Sequence, residues 1–481
     1  MPEPAQPDIP GFLNAVGDVP AETDPVLVRQ RSRDMSAAFS PVLKREAKDR
    51  SVDVILRPRS RDDVLRIAAS AARHRMPLIA RGGGTANFGQ GIPLRGGALI
   101  DMTALDKVLW VRGPVVRAEA GVRMVDVDAA TRPTGWELRM HPSTKRAGTL
   151  GGYLGGGHAG VGSCAYGILR DRGNILGLQV VSVEEEPRVV ELRGTEVNLV
   201  HHAYGANGLI LEAEMPLAPA WEWMEAVVCF KDFMTATRFS HAVSVSDGIV
   251  KKLVSLHQWP LPKLMTPLSG VLREGEDMVL CMIAAPFFES FETLVEDFGG
   301  TITARAKEGE GPYGIPIYEF AWGHTRFHVN KVDRSLVGCV GLYRDPDLVE
   351  KIERSYRRFA KLGPMHFEAK RFDGGLSFQG SPLFPYVDDA QLAAVTAAMQ
   401  EDGAIAANNH TFLVRENGMK PVDDIEIAFK RGMDPYDLLN PGKLAIDAAS
   451  VAASAGAKFG AKGWTYAGTP RSTAAIAGEA A

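Results

Sequence analysis

The sequence predicts an α+β fold in two domains, and three observations carry this prediction. Early in the chain, a strand, a helix and a second strand lead directly into a glycine-rich loop, an order typical of nucleotide sites. Near residue 220, two prolines and a change to longer strands and helices mark a domain boundary. Beyond that boundary a strand is followed by a helix three times, which predicts an antiparallel sheet covered on one face.

Composition places the chain among ordinary globular proteins. Its 481 residues are 45% hydrophobic and 23% charged, and the chain is long enough for two domains. The net charge of -4 gives no reason to expect nucleic acid as a partner. No apolar run is long enough for a membrane span, and the N-terminus lacks a signal-peptide pattern. We therefore expect a cytoplasmic protein, with its oligomeric state left open.

The cysteines are scattered along the chain without a CxxC motif, which argues against a zinc site and a disulfide framework. Buried free thiols are the expected state of Cys164, Cys229, Cys281 and Cys339.

The elements of the first domain follow in order. Residues 1–49 form an arm laid over the domain, and "DVILRP" is the first strand. The next helix begins at Ser60, an N-cap with Asp63 at the third helical position, and its apolar residues recur at helical spacing. "PLIA" is the second strand, and it runs into the loop "RGGGTANFGQG" at residues 81–91.

The rest of the first domain contains short strands in "GGALIDM" and "PVVRAEAGV", a helix over Met124–Thr134, and a hairpin around "EEEP". Between the helix and the hairpin lies a second glycine-rich stretch, residues 141–167. At the other end of the chain, residues 448–481 are rich in Ala, Gly and Ser and are expected to be disordered or loosely draped.

The two glycine-rich stretches predict a diphosphate site. Backbone N–H groups of successive glycines can converge on an anion, and the missing side chains let the backbone approach it. Two such loops could clamp one diphosphate from both sides, with hydroxyls from Thr85, Ser143 and Thr149 and a donor from Gln90. The alternative is that the glycines only permit tight turns.

A Rossmann turn is the competing interpretation of the second stretch. Gly155, Gly157 and Gly160 match the GxGxxG spacing, but no apolar strand enters the motif and no amphipathic helix leaves it. We therefore expect the "GGGH" segment at its centre to contribute least to the chemistry.

The order of these motifs resembles that of a known family. "RGGGTANFGQG", "GALIDMTALDKV", "HPSTKRAGTLGG", "AYGILRDRGNILGLQVV", "YGANGLIL" and the late "DPYDLLNPGKL" are similar to the vanillyl-alcohol oxidase/p-cresol methylhydroxylase flavoprotein superfamily. The resemblance implies a PCMH-type FAD-binding domain of two subdomains at 50–220, and an antiparallel-sheet and helix cap domain for substrate at 221–430. It also implies a return to the first domain at 431–447.

The resemblance also implies which residues bind FAD. They comprise two loops that hold the pyrophosphate, residues near the ribityl chain and flavin, a strand at the pyrimidine edge and a closing contact near the ring. In that order they are Arg81, Gly82, Gly83, Gly84, Thr85, Gln90 and Gly91 with Pro142, Ser143, Gly148, Thr149, Gly151 and Gly152; then Tyr166, Gly167 and Asp171; then Gly208 and Ile210; then Asn440 and Lys443.

Many relatives attach FAD covalently through a His after the first glycine loop or a Cys before the second. This chain has neither residue at those positions, so non-covalent FAD is expected. His158 and Cys164 lie inside the second stretch, at offsets that do not match the attachment positions.

The substrate side is expected in the second domain. "AIAANNHTFLVRENG" delivers His410 into a loop, followed by Arg415, and this loop is similar to one in the glycolate-oxidase/D-lactate-dehydrogenase branch. That branch makes His410 a candidate proton acceptor. A satisfied buried histidine is the equal alternative, since the acidic residue and glycines of the branch's loop are missing.

Two further segments are candidates. His324 and His328 are four residues apart, so on a helix they could bind a metal, but no carboxylate is placed as in an HExxH motif. A substrate wall formed by the aromatic side chains of this segment, Phe320, Trp322 and Phe327, is equally plausible, so no metal is expected and His324 is a catalytic candidate. Lys370 and Arg371 could pair with a substrate carboxylate, although a solvated strand end is commoner.

These observations together predict an FAD-dependent oxidoreductase. We expect it to oxidise an alcohol, a 2-hydroxy acid or a similar small oxygenated compound, by hydride transfer to flavin N5. The alternatives are an oxidase of a larger aromatic or sugar-like alcohol, and a non-catalytic flavoprotein subunit of an oxidase complex. The electron acceptor, oxygen or another carrier, is left open.

Overall fold

A four-stranded sheet forms the start of the molecule, and it is mixed. The computed structural model describes residues 7–311 and 314–444, so the predicted tail at 448–481 lies outside the described residues. The strands run in the order β1-β2-β4-β3, with β4 parallel to both of its neighbours. They are β1 (Ala21–Glu22), β2 (Val54–Leu56), β3 (Leu78–Arg81) and β4 (Ala98–Asp101).

Five helices belong to the same part of the chain as this sheet, and the longest has the N-cap and the apolar face that the sequence predicts. The side chain of Ser60 accepts a hydrogen bond from the backbone N–H of Asp63 at 3.1 Å, and the apolar residues that recur at helical spacing are buried. This confirms the predicted cap. The helices are α1 (Ile9–Val16), α2 (Pro25–Arg31), α3 (Ser36–Phe39), α4 (Pro41–Glu46) and α5 (Arg61–His74).

A six-stranded antiparallel sheet follows, in the order β5-β6-β10-β8-β9 with β7 paired to β10. The predicted hairpin is confirmed, because residues 177–181 pair with residues 189–193. The strands are β5 (Val108–Arg112), β6 (Val115–Glu119), β7 (Trp136–Leu138), β8 (Gly177–Val181), β9 (Val189–Arg193) and β10 (Leu209–Pro219).

The helices of this region include one that the sequence analysis missed. They are α6 (Met124–Thr131), α7 (Leu150–Gly156) and α8 (Ser163–Tyr166). Four of the seven residues of α7 are glycines, so its sequence carries little helix propensity. Leu150, Tyr153 and Leu154 are nevertheless buried in the core of the six-stranded sheet. Packing of these three side chains therefore outweighs propensity in this helix.

A nine-stranded antiparallel sheet forms the second half of the molecule, in the order β14-β11-β13-β12-β17-β18-β16-β19 with β15 paired to β18. The α+β class predicted from sequence is confirmed. The strands are β11 (Trp223–Phe230), β12 (Lys251–His257), β13 (Asp277–Ala284), β14 (Thr301–Lys307), β15 (Leu336–Gly338), β16 (Val340–Arg344), β17 (Met365–Phe372), β18 (Gly375–Pro385) and β19 (Ile405–Ala407).

Four long helices share the largest hydrophobic core with this sheet. Phe367 of β17 points into that core. The residues on either side of it, His366 and Glu368, therefore point to the opposite face of the sheet. The helices of this half are α9 (Phe233–Val245), α10 (Leu261–Leu264), α11 (Phe288–Asp297), α12 (Gly323–Val332), α13 (Leu348–Phe359) and α14 (Asp389–Glu401), and the core contains residues of α9, α11, α13 and α14.

The chain then returns to the first two sheets through α15 (Val414–Asn417) and α16 (Asp424–Met433). Phe429 of α16 joins the core of the six-stranded sheet, and Leu439 joins that of the four-stranded sheet. The backbone N–H of Asn440 donates to the carbonyl of Leu78 at 2.8 Å. All four cysteines are buried and free, as predicted. No described helix combines the length and apolar character that a membrane crossing requires.

Candidate functional site

A cavity of about 320 Å³ lies between the glycine-rich segments of the first half and the nine-stranded sheet. Its volume is in the range of small-molecule and cofactor sites in proteins. Most residues predicted from the glycine loops line it. These are Arg81, Gly82, Gly83, Gly84, Thr85, Gln90, Gly91, Pro142, Ser143, Gly148, Thr149, Gly151 and Gly152, joined by Gly208 and Ile210 of the strand predicted at the pyrimidine edge.

The two glycine loops touch each other, and the contact requires the absence of side chains. A Cβ atom on Gly82 would lie 1.9 Å from the hydroxyl oxygen of Thr149, and one on Gly83 would lie 2.0 Å from the carbonyl oxygen of Ala147. Gly84 adopts a φ of 68°, which favours glycine. The glycines therefore bring two backbone walls together at the cavity, as a diphosphate clamp requires.

The centre of the second glycine-rich stretch also lines the cavity. Gly155, Gly156, Gly157, His158 and Gly160 all line it, so this segment shares the cavity wall with the residues of the predicted clamp. The reason is α7: its first turn carries Thr149 and its end carries the glycines, so one short helix presents the whole stretch. Burial lowers the pKa of His158 well below its usual value, which keeps the imidazole neutral.

Asn440 and Lys443 do not line the cavity but hold its walls. The Asn440 side-chain amide donates to the carbonyls of Gln90 at 2.8 Å and Tyr204 at 2.7 Å. The Lys443 ammonium donates to the carbonyl of Gly89, and burial lowers its pKa to about 7. Both side chains therefore support cavity-lining loops, and their contact with the cofactor stays a prediction.

Tyr166, Gly167 and Asp171 do not line the cavity, and their place beside the cofactor stays a prediction. The Asp171 carboxylate accepts from the backbone N–H of Ile168 at 2.9 Å and closes a turn. A Cβ atom on Gly167, whose φ is 82°, would lie 2.3 Å from that carboxylate. The Tyr166 ring is 37% exposed and lies under the guanidinium of Arg139. These residues thus stabilise a turn behind the second loop.

His410 and Arg415 also lie outside the cavity. The Nδ1 atom of His410 is 2.9 Å from the hydroxyl of Ser40 in the N-terminal arm. Burial and the nearby Arg326 lower the pKa of His410 to about 4, so its imidazole is neutral near pH 7. Arg415 belongs to the short helix α15. The structure therefore favours the alternative of a buried structural histidine at position 410.

His324 does line the cavity, but it is not paired with His328. Its Nδ1 atom lies 3.0 Å from the Glu319 carboxylate, which also accepts from Arg146 at 2.8 Å. His328 instead contacts the Glu319 carbonyl at 3.0 Å and stacks on Phe320. The two imidazoles thus have separate partners.

The wall opposite the glycine loops is built from polar side chains that the sequence analysis missed. They are His366 and Glu368 of β17 and Gln379 and Ser381 of β18, and Trp322, a member of the predicted aromatic wall, lines the cavity beside them. Alternation on β17 offered a signal, because His366, Glu368 and Lys370 share one face of the strand. Of these three, Lys370 alone is named in the sequence analysis, as a candidate partner of a substrate carboxylate. Lys370 is buried, not a solvated strand end, and its ammonium donates to Gln379 at 2.7 Å.

Glu368 is the most constrained polar group on this wall. Its Oε1 atom accepts from the Ser255 hydroxyl at 2.8 Å, lies 2.7 Å from the Nε2 atom of His366, and accepts from the backbone N–H of Trp322. Its Oε2 atom is buried and has no partner among the described residues, although the residue lines the cavity. A buried acceptor without a donor is costly, so this oxygen is available to a bound ligand.

Comparison with known proteins finds a family match within the first part of the chain. Residues 52–191 match the family described as FAD binding domain. Residues 52–191 therefore form an FAD-binding domain, and the touching glycine loops, which lie within this range, fit the pyrophosphate of FAD.

Similar proteins include a synthase and an oxidase subunit. The chain is 28% identical over 462 residues to alkyldihydroxyacetonephosphate synthase of Trypanosoma brucei brucei, covering 82% of this chain and 73% of that one. It is 26% identical over 211 residues to glycolate oxidase subunit GlcD of Bacillus subtilis, covering 42% and 44%. The chain spans only 34% to 44% of the length of the first curated relatives that it matches.

Among solved structures, an alkyldihydroxyacetonephosphate synthase superposes with a TM-score of 0.67 at 14% identity, covering 92% of this chain and 87% of that one. At this identity the likeness shows the fold alone.

Proposed function

We propose that this FAD-binding chain is an oxidoreductase that oxidises a CH–OH group, with a 2-hydroxy acid or a similar small oxygenated compound as its substrate. One observation carries the proposal: a single cavity joins the glycine walls of the FAD-binding domain to a buried carboxylate oxygen, Glu368 Oε2, that has no partner among the described residues. The likeness to glycolate oxidase subunit GlcD supports the substrate class.

In this proposal, the glycine walls bind FAD and the polar wall binds the alcohol. FAD, when bound, accepts the two electrons of an alcohol oxidation as a hydride. Gly82, Gly83, Gly148 and Thr149 are the residues proposed to hold its pyrophosphate. The backbone of Gly208 and Ile210 is proposed to meet the pyrimidine edge, and Asn440 to keep the loops around it in position.

Glu368 is the proposed acceptor of the hydroxyl proton, in place of His410. The bonds from Ser255, His366 and Trp322 all go to Oε1, so they fix the carboxylate and leave Oε2 without a partner among the described residues. A positioned base contributes roughly a hundredfold to ten-thousandfold to such a step. Trp322 lines the same cavity.

FAD is proposed to be non-covalent, since a threonine, Thr85, follows the first glycine loop where many relatives carry a histidine. Cys164 does not line the cavity, and burial raises the pKa of its thiol to about 12, which suppresses the nucleophilic thiolate. Acid precipitation of the holoprotein should leave the flavin in the supernatant. A yellow pellet would contradict this assignment, and loss of that colour in His158→Ala would identify the attachment point.

The larger aromatic or sugar-like alcohol remains the second candidate. Phe39, Phe88 and Trp322 line the cavity and would contact the faces of an aromatic or sugar ring. Flavin reduction by benzylic or sugar alcohols that exceeds reduction by 2-hydroxy acids at equal concentration would favour it.

The test is anaerobic mixing of the yellow holoprotein with a panel of alcohols. We expect 2-hydroxy acids to bleach the oxidised flavin, and admission of oxygen afterwards reports whether oxygen serves as the acceptor. A holoprotein that no alcohol bleaches would contradict the proposed activity and favour a non-catalytic flavoprotein subunit.

A further inference from the structure

Arg326 of α12 is a buried cation on the cavity wall. The residue is 8% exposed and lines the cavity together with Glu368. One guanidinium nitrogen donates to the carbonyl of Phe39, and its Nε atom is buried without a hydrogen-bond partner. Among the described residues, no carboxylate forms an ion pair with it.

An unpaired buried guanidinium is unusual, because removing a charge from water is costly unless an opposite charge accompanies it. Burial lowers the pKa of Arg326 to about 10, so the group is still charged near neutral pH. His410, its neighbour, is neutral and offers no compensation.

Two carboxylates also line the cavity, and among the described residues neither forms an ion pair with Arg326. Asp34 accepts from the Ser36 hydroxyl at 2.6 Å, and burial raises its pKa. Glu368 is held through Ser255 and His366. The counter-charge for Arg326 is therefore not supplied by the cavity walls.

We propose that Arg326 binds the carboxylate of the substrate, and so makes the cavity selective for anionic alcohols. Arginine suits this task because its planar guanidinium presents several donors to a carboxylate in one fork. This inference rests on the proposed function, and it defines the substrate class: a hydroxy acid whose carboxylate contacts Arg326 and whose hydroxyl contacts Glu368.

Arg326 could instead serve only to hold the N-terminal arm. Its bond to Phe39 is one of several to this segment, since the Asn330 side chain donates to the carbonyl of Ala38 and His410 contacts Ser40. Asn330 lies on the same helix, one turn further on, and is not among the residues that line the cavity. Asn330→Ala is therefore a matched control that removes an arm contact and leaves the cavity unchanged.

The experiment measures oxalate binding to the holoproteins through the shift it causes in the flavin spectrum. Oxalate is a planar dicarboxylate that mimics a 2-hydroxy acid and needs no turnover. We expect Arg326→Gln to keep its FAD and to bind oxalate at least roughly thirtyfold more weakly, since a charge-assisted fork is lost. Asn330→Ala should bind oxalate as the wild type does.

Arg326→Lys provides a second variant in case Arg326→Gln does not fold. It retains the charge without the fork and should bind oxalate more weakly than the wild type. Equal oxalate affinity in the wild type and in an Arg326 variant that folds would overturn the proposal. Equal weakening by Asn330→Ala would overturn it in favour of the arm, and loss of FAD from Arg326→Gln would overturn it in favour of a cofactor phosphate.

The proposed function can fail separately from this inference. If oxalate binds through Arg326 but no alcohol reduces the flavin, the anion site stands and the oxidoreductase activity fails. If alcohols reduce the flavin with the same KM in Arg326→Gln and wild type, the activity stands and the anion site fails.

Discussion

The glycine loops shape one side of the cavity with backbone, whereas the nine-stranded sheet shapes the other with side chains. On the loop side, the positions of the atoms follow from residues that lack a Cβ, and Gly83 approaches Ala147 too closely for any other residue. On the sheet side, Glu368 depends on Ser255, His366 and the backbone of Trp322. A cofactor site can therefore be formed by residues that are close together in the sequence, while the substrate site beside it combines residues that are far apart in the sequence.

The largest effect is expected from filling the space between the two loops. In Gly83→Val the new Cβ would lie 2.0 Å from the carbonyl oxygen of Ala147, so the loops must separate. We expect purified Gly83→Val to contain no FAD, measured as the ratio of flavin to protein.

Gly432→Ala is the control for this change. Gly432 lies in α16, and a Cβ atom there would meet nothing within 4 Å. This variant should keep its full flavin content. A yellow Gly83→Val protein would show that the loops do not form the clamp.

A smaller effect is expected from the residue that joins the cavity walls. Asn440→Ala leaves the carbonyls of Gln90 and Tyr204 without their donor, and each buried unsatisfied group costs about 1–3 kcal/mol. We expect FAD affinity, measured by titration of the apoprotein, to fall at least about tenfold because the walls relax.

Asn409→Ala is the matched control. Its buried amide donates to the carbonyl of Gly338 in β15 at 3.0 Å and does not hold a cavity loop. Its loss should lower the thermal unfolding temperature without changing FAD affinity. If both variants bind FAD equally well, Asn440 has no role in the cofactor site.

The smallest effect on the reaction is expected from a substitution of His410, which does not line the cavity. His410→Asn should reduce its flavin with alcohol at a rate within about threefold of the wild type, because the imidazole does not line the cavity. A hundredfold loss would restore His410 as the base.

His410 should instead affect the pH dependence of stability. Its pKa is lowered from 6.5 to about 4 in the folded protein, so the unfolded chain takes up the proton first. Its contribution is therefore complete above pH 6.5 and is lost as the pH falls towards 4. We expect the unfolding temperature of His410→Asn to decline less between these pH values than that of the wild type, and an equal decline would contradict the burial of a neutral imidazole.

The sequence predicted the backbone features of the site better than its side-chain features. Glycine patterns at 81–91 and 141–160 are local, so loops and cofactor class followed from the order of residues. The sequence does not predict α7 because its glycines disfavour a helix, whereas the burial of Tyr153 and its neighbours stabilises it.

The substrate wall could not be predicted in the same way, because its partners are distant in sequence. His410 seemed a catalytic candidate from its own segment, yet its partner is Ser40 in the arm. Glu368 meets Ser255, which is 113 positions away. Only the alternation of His366, Glu368 and Lys370 on one strand gave a local signal of a polar face.

Single-turnover reduction of Glu368→Gln is the most direct test, because it measures whether Glu368 of the nine-stranded sheet takes part in reducing the FAD held by the glycine loops. Glu225→Gln is its control, since Glu225 is also buried in the nine-stranded sheet but accepts from the backbone of Ile317 and does not line the cavity. We expect both variants to retain FAD. A 2-hydroxy acid should reduce the flavin of Glu225→Gln at the wild-type rate and that of Glu368→Gln at least roughly a hundredfold more slowly. Reduction of Glu368→Gln at the wild-type rate would contradict this role of Glu368.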